Sequence, residues 1–395
     1  MQQGTQLKGD IMSNYLSPRS SIGIIGTNEQ AYQLALAAKK LGYRVNVLGT
    51  SMFNLVKAEA DQYFIVESMQ DQRAFKKLAQ VSDVVLYTNE NFPNQFIKLM
   101  NQFAHVPQSE NMHFFTTDRS VQNVMLEGSG LDLYPYVLAV TVEDVRDALS
   151  SFGSPCTIRT TLSATHKPAI EINSEEDLSQ AEALLGYGPC IVEPVQERVR
   201  RIVITAIKDE AGEFSHFPIS AISIDDETKG FVSAPAQLEE ATAHLMEQAT
   251  EGIGRMNDFV GLFSVEYALT EDDTFYIKEI TNYPHKALDH TLKSHTFSTY
   301  EAMIRLAVGL PLNQLNHPTA NLIYWRFNEK QLGMVEEKLL NNTSTDVVFY
   351  PNYLDERNDP YDTIGHVFMH QTAKATSSKQ SNQDKPEERA DQSEE

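Results

Sequence analysis

Two glutamates, Glu266 and Glu279, are the side chains whose type and spacing point most directly to chemistry. Both lie in the stretch FSVEYALTEDDTFYIKEITNYPH that runs from Phe263 to His285. Alternating apolar and polar residues over 263–269 and 274–280 flank the acidic cluster Glu271-Asp272-Asp273, which is the pattern of an antiparallel hairpin. A loop of even length centred on Asp272 and Asp273 sets Glu266 directly opposite Glu279; an odd loop breaks that pairing. Alternation turns Phe263, Val265, Tyr267 and Leu269 toward a core, and Ser264, Glu266 and Ala268 to the other face. Like charges facing each other on a sheet destabilise it by roughly 0.2–1 kcal/mol, and by more when desolvated. One reading is a hard divalent cation such as Mg2+, held by both carboxylates together with substrate phosphates. The other is a solvated acidic face in a chain that is acidic throughout.

Around this hairpin the chain has 395 residues, 41% of them apolar, enough for two or three domains with a sizeable core. Its net charge of -22 argues against a broad nucleic-acid or anionic-membrane surface and leaves room for a local basic pocket that takes a phosphorylated small molecule. No apolar run approaches the roughly 18 residues of a membrane span, and the first residues lack the apolar core of a signal peptide, so the expected location is cytoplasmic. Residues 1–20 and 371–395 are polar and read as disordered tails, with Met12 an alternative start. Residues 21–115 open with a strand, an Ala/Leu-rich helix and a second strand, the βαβ start of an α/β domain. Only Gly26 follows the first strand, so the glycine cradle of a dinucleotide fold is absent. Residues 116–312 read as an α+β unit containing the hairpin, and 313–370 as short strands at 320–327, 346–350 and 365–370. Cys156 and Cys190 read as reduced core thiols, Trp325 as core, and Arg198, Arg200 and Arg201 as a solvated strand edge. His285, His290 and His295 recur every five residues, which suits no helical or zinc ligand pattern.

Several short motifs stand in a telling order. IGIIG and LALAAKKLGY come first, then ENF at 90–92, Asp118-Arg119 and the PC-x-I-x-T strand at Pro155. SAPA at 233–236, VEY at 265–267, KEITNYPH at 278–285, GLPL at 309–312 and GHV at 365–367 follow. From Ile22 to Val367 the chain thereby resembles carboxyaminoimidazole ribonucleotide synthase, the ATPase subunit of phosphoribosylaminoimidazole carboxylase, an ATP-grasp family of purine biosynthesis. The resemblance implies an α/β fold: a Rossmann-like N-terminal domain, an ATP-grasp α+β middle domain and a small β-rich C-terminal domain. It also implies a reaction in which ATP activates bicarbonate as carboxyphosphate, Mg2+ bridges the phosphates, and the amine of aminoimidazole ribonucleotide captures the carboxyl group. Residue by residue, Glu266 and Glu279 match the metal-holding carboxylates, and Glu193 matches the adenine-binding segment. Arg159 stands where a lysine reaches the phosphates. A homodimer is implied as well.

Other positions depart from the family pattern. Lys278 replaces an asparagine and, if alternation holds, faces away from the glutamates. The glycine-rich loop over the triphosphate is replaced by 161–167, TLSATHK, without a glycine to bring backbone close to phosphate. Val199 and Arg201 stand where ribose-binding acids are expected, and 355–362 is acidic where a ribonucleotide phosphate wants cations. Tyr283 replaces the arginine that stabilises carboxyphosphate, which leaves Lys286 and His285 as the candidates to take over its catalytic role. Three readings stay open: an active ligase, a weakly active or non-catalytic relative that binds a nucleotide or a partner protein, and a ligase whose different substrate sits in a new cationic pocket of Lys286, His285 and Arg201. The four replacements favour the second.

Overall fold

The computed structural model describes residues 15–50, 54–88, 92–162, 169–196, 199–223, 230–312, 315, 320–351 and 363–370. The loop at 163–167, the acidic run at 355–362, the tails at 1–14 and 371–395 and the start at Met12 lie outside the described residues.

β1 (Ser21–Ile25) is buried along its whole length and pairs in parallel with β2 (Arg44–Gly49) on one side and β4 (Val84–Tyr87) on the other; β3 (Gln62–Ile65) lies beyond β2. The crossover is the helix Glu29–Lys40, with Asn28 as its cap and Lys39 and Lys40 in its last turn, where cations suit the helix dipole. Asn28 Oδ1 accepts from Ala31 N at 2.9 Å, while its Nδ2 donates to the Thr88 carbonyl at 2.9 Å. A Cβ on Gly49 would lie 2.1 Å from Thr27 Cγ2, so side chains occupy the turn that a dinucleotide fold keeps open. Residues 15–20, expected within the N-terminal tail, are held down: Leu16 N donates to Val308 O at 3.0 Å and Tyr43 OH to Leu16 O at 2.8 Å.

A second, antiparallel sheet comprises β5 (Val137–Ala139), β6 (Cys156–Thr160), β7 (Ile170–Ile172) and β8 (Cys190–Pro194), in the order β5-β8-β6-β7. Its inward residues pack with the helices Val142–Phe152 and Leu178–Leu185 around Cys156, Ile158, Ile172, Cys190 and Val192. Both cysteines are buried and free, and burial pushes the Cys190 thiol up to about 11.

The third sheet is the largest. β9 (Arg200–Lys208), β10 (Phe214–His216), β11 (Ser220–Ser223), β12 (Phe231–Ala234), β13 (Gly261–Leu269), β14 (Phe275–Thr281), β15 (Leu322–Asn328), β16 (Thr345–Phe349) and β17 (Thr363–His370) join in the order β14-β13-β9-β11-β12-β15-β17-β16, with β10 beside β9. The C-terminal strands thus continue the middle domain's sheet, through the pairing of Val232 with Tyr324. β9 lies between β13 and β11, so Arg201 sits on an interior strand and not at the edge expected of it, while Arg200, opposite Leu269, stays exposed; Arg198 lies outside the described residues. The helix Glu240–Met256 packs over Phe263, Val265, Tyr267 and Leu269, the four residues that alternation turned inward. Trp325 is buried beneath the last strands. Tyr300, Met303 and Ile304 of the helix Thr299–Ala307 share a core with the helix Glu29–Lys40. Asn282, at the foot of the hairpin, donates to Tyr87 OH and accepts from Gln108 Nε2 at 2.8 Å, which fixes the hairpin against the N-terminal domain. Among the described residues no helix is long and apolar enough to cross a membrane.

Candidate functional site

Glu266 lies opposite Glu279, but not by the expected route. Nearest the turn, Leu269 faces Phe275 and Tyr267 faces Ile277, the register of an odd loop, with Asp273 at φ +63°. Lys278 then enters β14 as one extra residue, and beyond this bulge the register shifts so that the glutamates meet. A bulge lets two successive side chains leave the same side of a strand. Ile277 and Ile280 stay in the core, and both Lys278 and Glu279 emerge above it. Lys278 therefore does not face away as strict alternation required. Its Nζ sits 3.6 Å from Glu193 and 4.0 Å from the Tyr134 ring centroid, inside the charged cluster.

Guanidinium groups offset the repulsion between the two carboxylates. Arg201, diagonal to Glu266 across β9 and β13, forms a bidentate pair, with Nε to Oε1 at 2.8 Å and Nη2 to Oε2 at 3.0 Å. Arg119, the first residue of the helix Arg119–Leu126, pairs with Glu279. That helix start is held in place by Asp118, which accepts from Ser120 N at 2.8 Å, and by the Arg119 amide, which donates to Thr161 O at 2.9 Å. Arg159 on β6 and Glu193 on β8 form a third pair, Nη2 to Oε2 at 2.6 Å. The cations Arg119, Arg159, Arg201 and Lys278 thus outnumber the carboxylates Glu193, Glu266 and Glu279 by one, in a chain whose net charge is -22.

The same pairs set the protonation states. Burial pushes the Glu279 carboxyl up, but Arg119, Arg159 and His285 outweigh it and draw it down to about 2. Burial likewise raises Glu266, and Arg201 and His285 more than reverse it. Burial draws the Lys278 ammonium below its usual range, with Glu193 opposing and Arg159 assisting. His285 Nδ1 accepts from Ala287 N at 3.1 Å, which leaves its proton on Nε2, 3.8 Å from Glu266 Oε2. Burial lowers its affinity for a second proton despite the two glutamates. Lys286 is exposed at the mouth of a cavity of about 410 Å³, which Arg201, His285, Arg326, Asn328 and Gln331 also line.

The residues present do not fit a resident Mg2+. Both Glu266 oxygens carry Arg201, Glu279 carries Arg119, and among the described residues no group of three or more His, Cys, Asp or Glu is arranged to hold a metal ion. His290 and His295 bond to serines instead: His290 Nε2 lies 3.0 Å from Ser220 Oγ, and His295 Nδ1 lies 2.8 Å from Ser294 Oγ.

Asp289 and Arg326 have no place in the sequence reading, and Arg119 and Lys278 enter it only as a motif residue and as a replaced asparagine, not as members of a charged cluster. Asp289 is buried, accepts from Tyr300 OH and, at 2.8 Å, from Tyr324 OH, and lies 3.6 Å from Arg326 Nε; Arg326 also pairs with Glu29. One signal did exist, a lone arginine in the apolar run of β15, since buried charge requires a partner.

Residues 19–115 match the ribonucleotide synthetase preATP-grasp domain, and residues 124–300 the ATP-grasp domain. The N5-carboxyaminoimidazole ribonucleotide synthase of Bacillus subtilis (strain 168) is 28% identical over 299 residues, 75% of this chain and 78% of that protein. The Staphylococcus epidermidis protein of the same name is 23% identical over 89% of this chain and 92% of its own length. Among solved structures, the ADP complex of an N5-carboxyaminoimidazole ribonucleotide synthetase has a TM-score of 0.81 at 24% identity, covering 91% of this chain and 94% of that one. The Aspergillus clavatus synthase in complex with ADP and 5-aminoimidazole ribonucleotide has a TM-score of 0.77 at 18% identity, covering 90% and 95%. The chain therefore carries a ribonucleotide synthetase preATP-grasp domain followed by an ATP-grasp domain, and over three quarters of its length it is similar to N5-carboxyaminoimidazole ribonucleotide synthase.

Proposed function

We propose that this chain is a nucleotide-binding ATP-grasp protein of the carboxyaminoimidazole ribonucleotide synthase type, in which the family reaction on ATP, bicarbonate and aminoimidazole ribonucleotide is slow or lost. The supporting observation is the cluster of Arg119, Arg159, Arg201 and Lys278, whose positive surplus lies between two sheets of a strongly acidic chain. Cations in a partly desolvated cleft attract phosphate oxygens far more strongly than in water. In this reading Arg159 and Arg201 face the phosphates and Glu193 the nucleoside. A cytoplasmic homodimer goes with it.

Turnover is the weak part. Tyr283 brings no charge to the place of the carboxyphosphate arginine, which removes on the order of 3 kcal/mol of transition-state stabilisation, or ~10²-fold in rate, unless Lys286 and His285 compensate. A second reading, a ligase with a different acceptor, draws on the cavity of about 410 Å³ beside the cluster: Arg201, Lys286 and Arg326 at its wall suit an anionic molecule.

Phosphate release, measured with each of ATP, bicarbonate and aminoimidazole ribonucleotide omitted in turn, tests the proposal, with calorimetric titration of nucleotide alongside. Nucleotide binding with slow release is the expected result. Rapid release that needs all three substrates overturns the claim of weak turnover, and absence of nucleotide binding overturns both readings. Binding together with release stimulated by another anionic acceptor favours the second.

A further inference from the structure

We propose that Arg201 stands in for a metal ion at Glu266, so that this site takes nucleotide phosphates without needing a divalent cation. The phosphate part of the inference rests on the nucleotide-binding reading above; the metal part does not.

The geometry carries it. A divalent ion shared by Glu266 and Glu279 would balance two negative charges, and Arg201 and Arg119 supply that same charge to the same two carboxylates. Mg2+ requires carboxylate oxygens at about 2.0–2.1 Å in near-octahedral array. The Arg201 fork instead donates to both Glu266 oxygens, at 2.8 and 3.0 Å. Bidentate guanidinium–carboxylate pairs are among the stronger polar contacts, and this one involves a carboxylate whose side chain is only 5% exposed. A metal entering there has to break it and leave the Arg201 charge beside its own. Arg201 is anchored on β9, which is flanked by β13 and β11, so backbone movement cannot easily withdraw it.

Arg201 also has capacity to spare. Guanidinium has five N–H donors in a planar fork, and the Glu266 pair uses two of them. Its side chain is 43% exposed and lines the cavity beside His285 and Lys286, so the remaining donors have access to an incoming anion. A metal would bridge carboxylate and phosphate through ionic bonds; Arg201 bridges them through hydrogen bonds, with Glu266 fixing its plane.

The test uses the full chain, with ADP as the nucleotide probe and Mn2+ as the metal probe. ADP affinity is measured by calorimetry in excess Mg2+ and in EDTA, and Mn2+ uptake by electron paramagnetic resonance without nucleotide. The wild type should bind ADP equally, within about threefold, in both buffers and should leave Mn2+ free. Arg201→Ser, which frees Glu266, should bind ADP about tenfold more weakly in EDTA, regain affinity with Mg2+, and take up Mn2+. Arg201→Lys keeps a charge but loses the fork, and shifts both readouts the same way should the serine variant fail to fold. Wild-type ADP affinity that falls about tenfold or more in EDTA overturns the proposal. So does Mn2+ uptake by the wild type that Glu266→Gln abolishes. If ADP binds under no condition, the nucleotide reading is what has failed. Mn2+ uptake then decides the metal part: binding by the variant but not the wild type supports it, and binding by neither overturns it.

Discussion

Asp289→Asn is the substitution whose consequence the structure fixes most closely. The Asp289 carboxyl is buried at the base of the segment that carries His285 and Lys286, with hydrogen bonds from Tyr300 and Tyr324. Burial pushes it up to about 6, against the tyrosine donors and Lys286, which pull it down. In the unfolded chain an aspartate titrates near about 3.9. The native state therefore binds this proton more tightly, and the stability it gives is complete below pH ~4 and lost as pH rises through about 6. Two units of difference amount to about 3 kcal/mol in full, of which about 1.4 kcal/mol falls between pH 5 and pH 8. Asparagine keeps the size and one acceptor oxygen but cannot ionise. Urea unfolding of both proteins across that range should show the stability gap moving by about 1.4 kcal/mol in favour of the variant as pH rises. A gap that stays constant, or moves the other way because Arg326 holds the carboxylate ionised, refutes the reasoning.

Arg119→Gln removes the main counter-charge of Glu279. With Glu279 near 2 in the folded state against an ordinary value of 4.5, its contribution is present above pH ~4.5 and lost as pH falls toward 2, about 3 kcal/mol in all. Urea unfolding should show the variant about 2–4 kcal/mol less stable at pH 7 and less sensitive to acid; equal stability at pH 7 counts against the pair. Tyr283→Arg returns a guanidinium to the segment after the hairpin and should raise substrate-dependent phosphate release about tenfold or more; no change means that other replacements limit turnover. Gly365→Ala places a Cβ 2.4 Å from the Val348 carbonyl and 2.6 Å from the Phe327 ring, between β16 and β15. A cost of about 1–3 kcal/mol should lower the melting temperature, and an unchanged melt contradicts the close approach.

The alternation that marked β13 and β14, the buried run of β1 and the short C-terminal strands are local signals, readable because side-chain direction within a strand depends on nothing outside it. The three-residue β7 was too short to register. The facing of Glu266 and Glu279 came out as expected for a partly wrong reason, since an odd turn and the Lys278 bulge together restore what an even turn would have given. Only the folded structure shows that bulge, and with it that Lys278 joins the charged cluster. Arg201 looked like a strand edge because sequence does not say which strands flank β9, and its neighbours come from residues 220–223 and 261–269. The sequence by itself determined the longer strands, the order of the parts and the presence of two glutamates on the strands of one hairpin. The tertiary structure decided what neutralises them, because Arg119 and Arg201 reach those oxygens from distant parts of the chain, and electrostatic partnership depends on distance in space, not on separation in sequence.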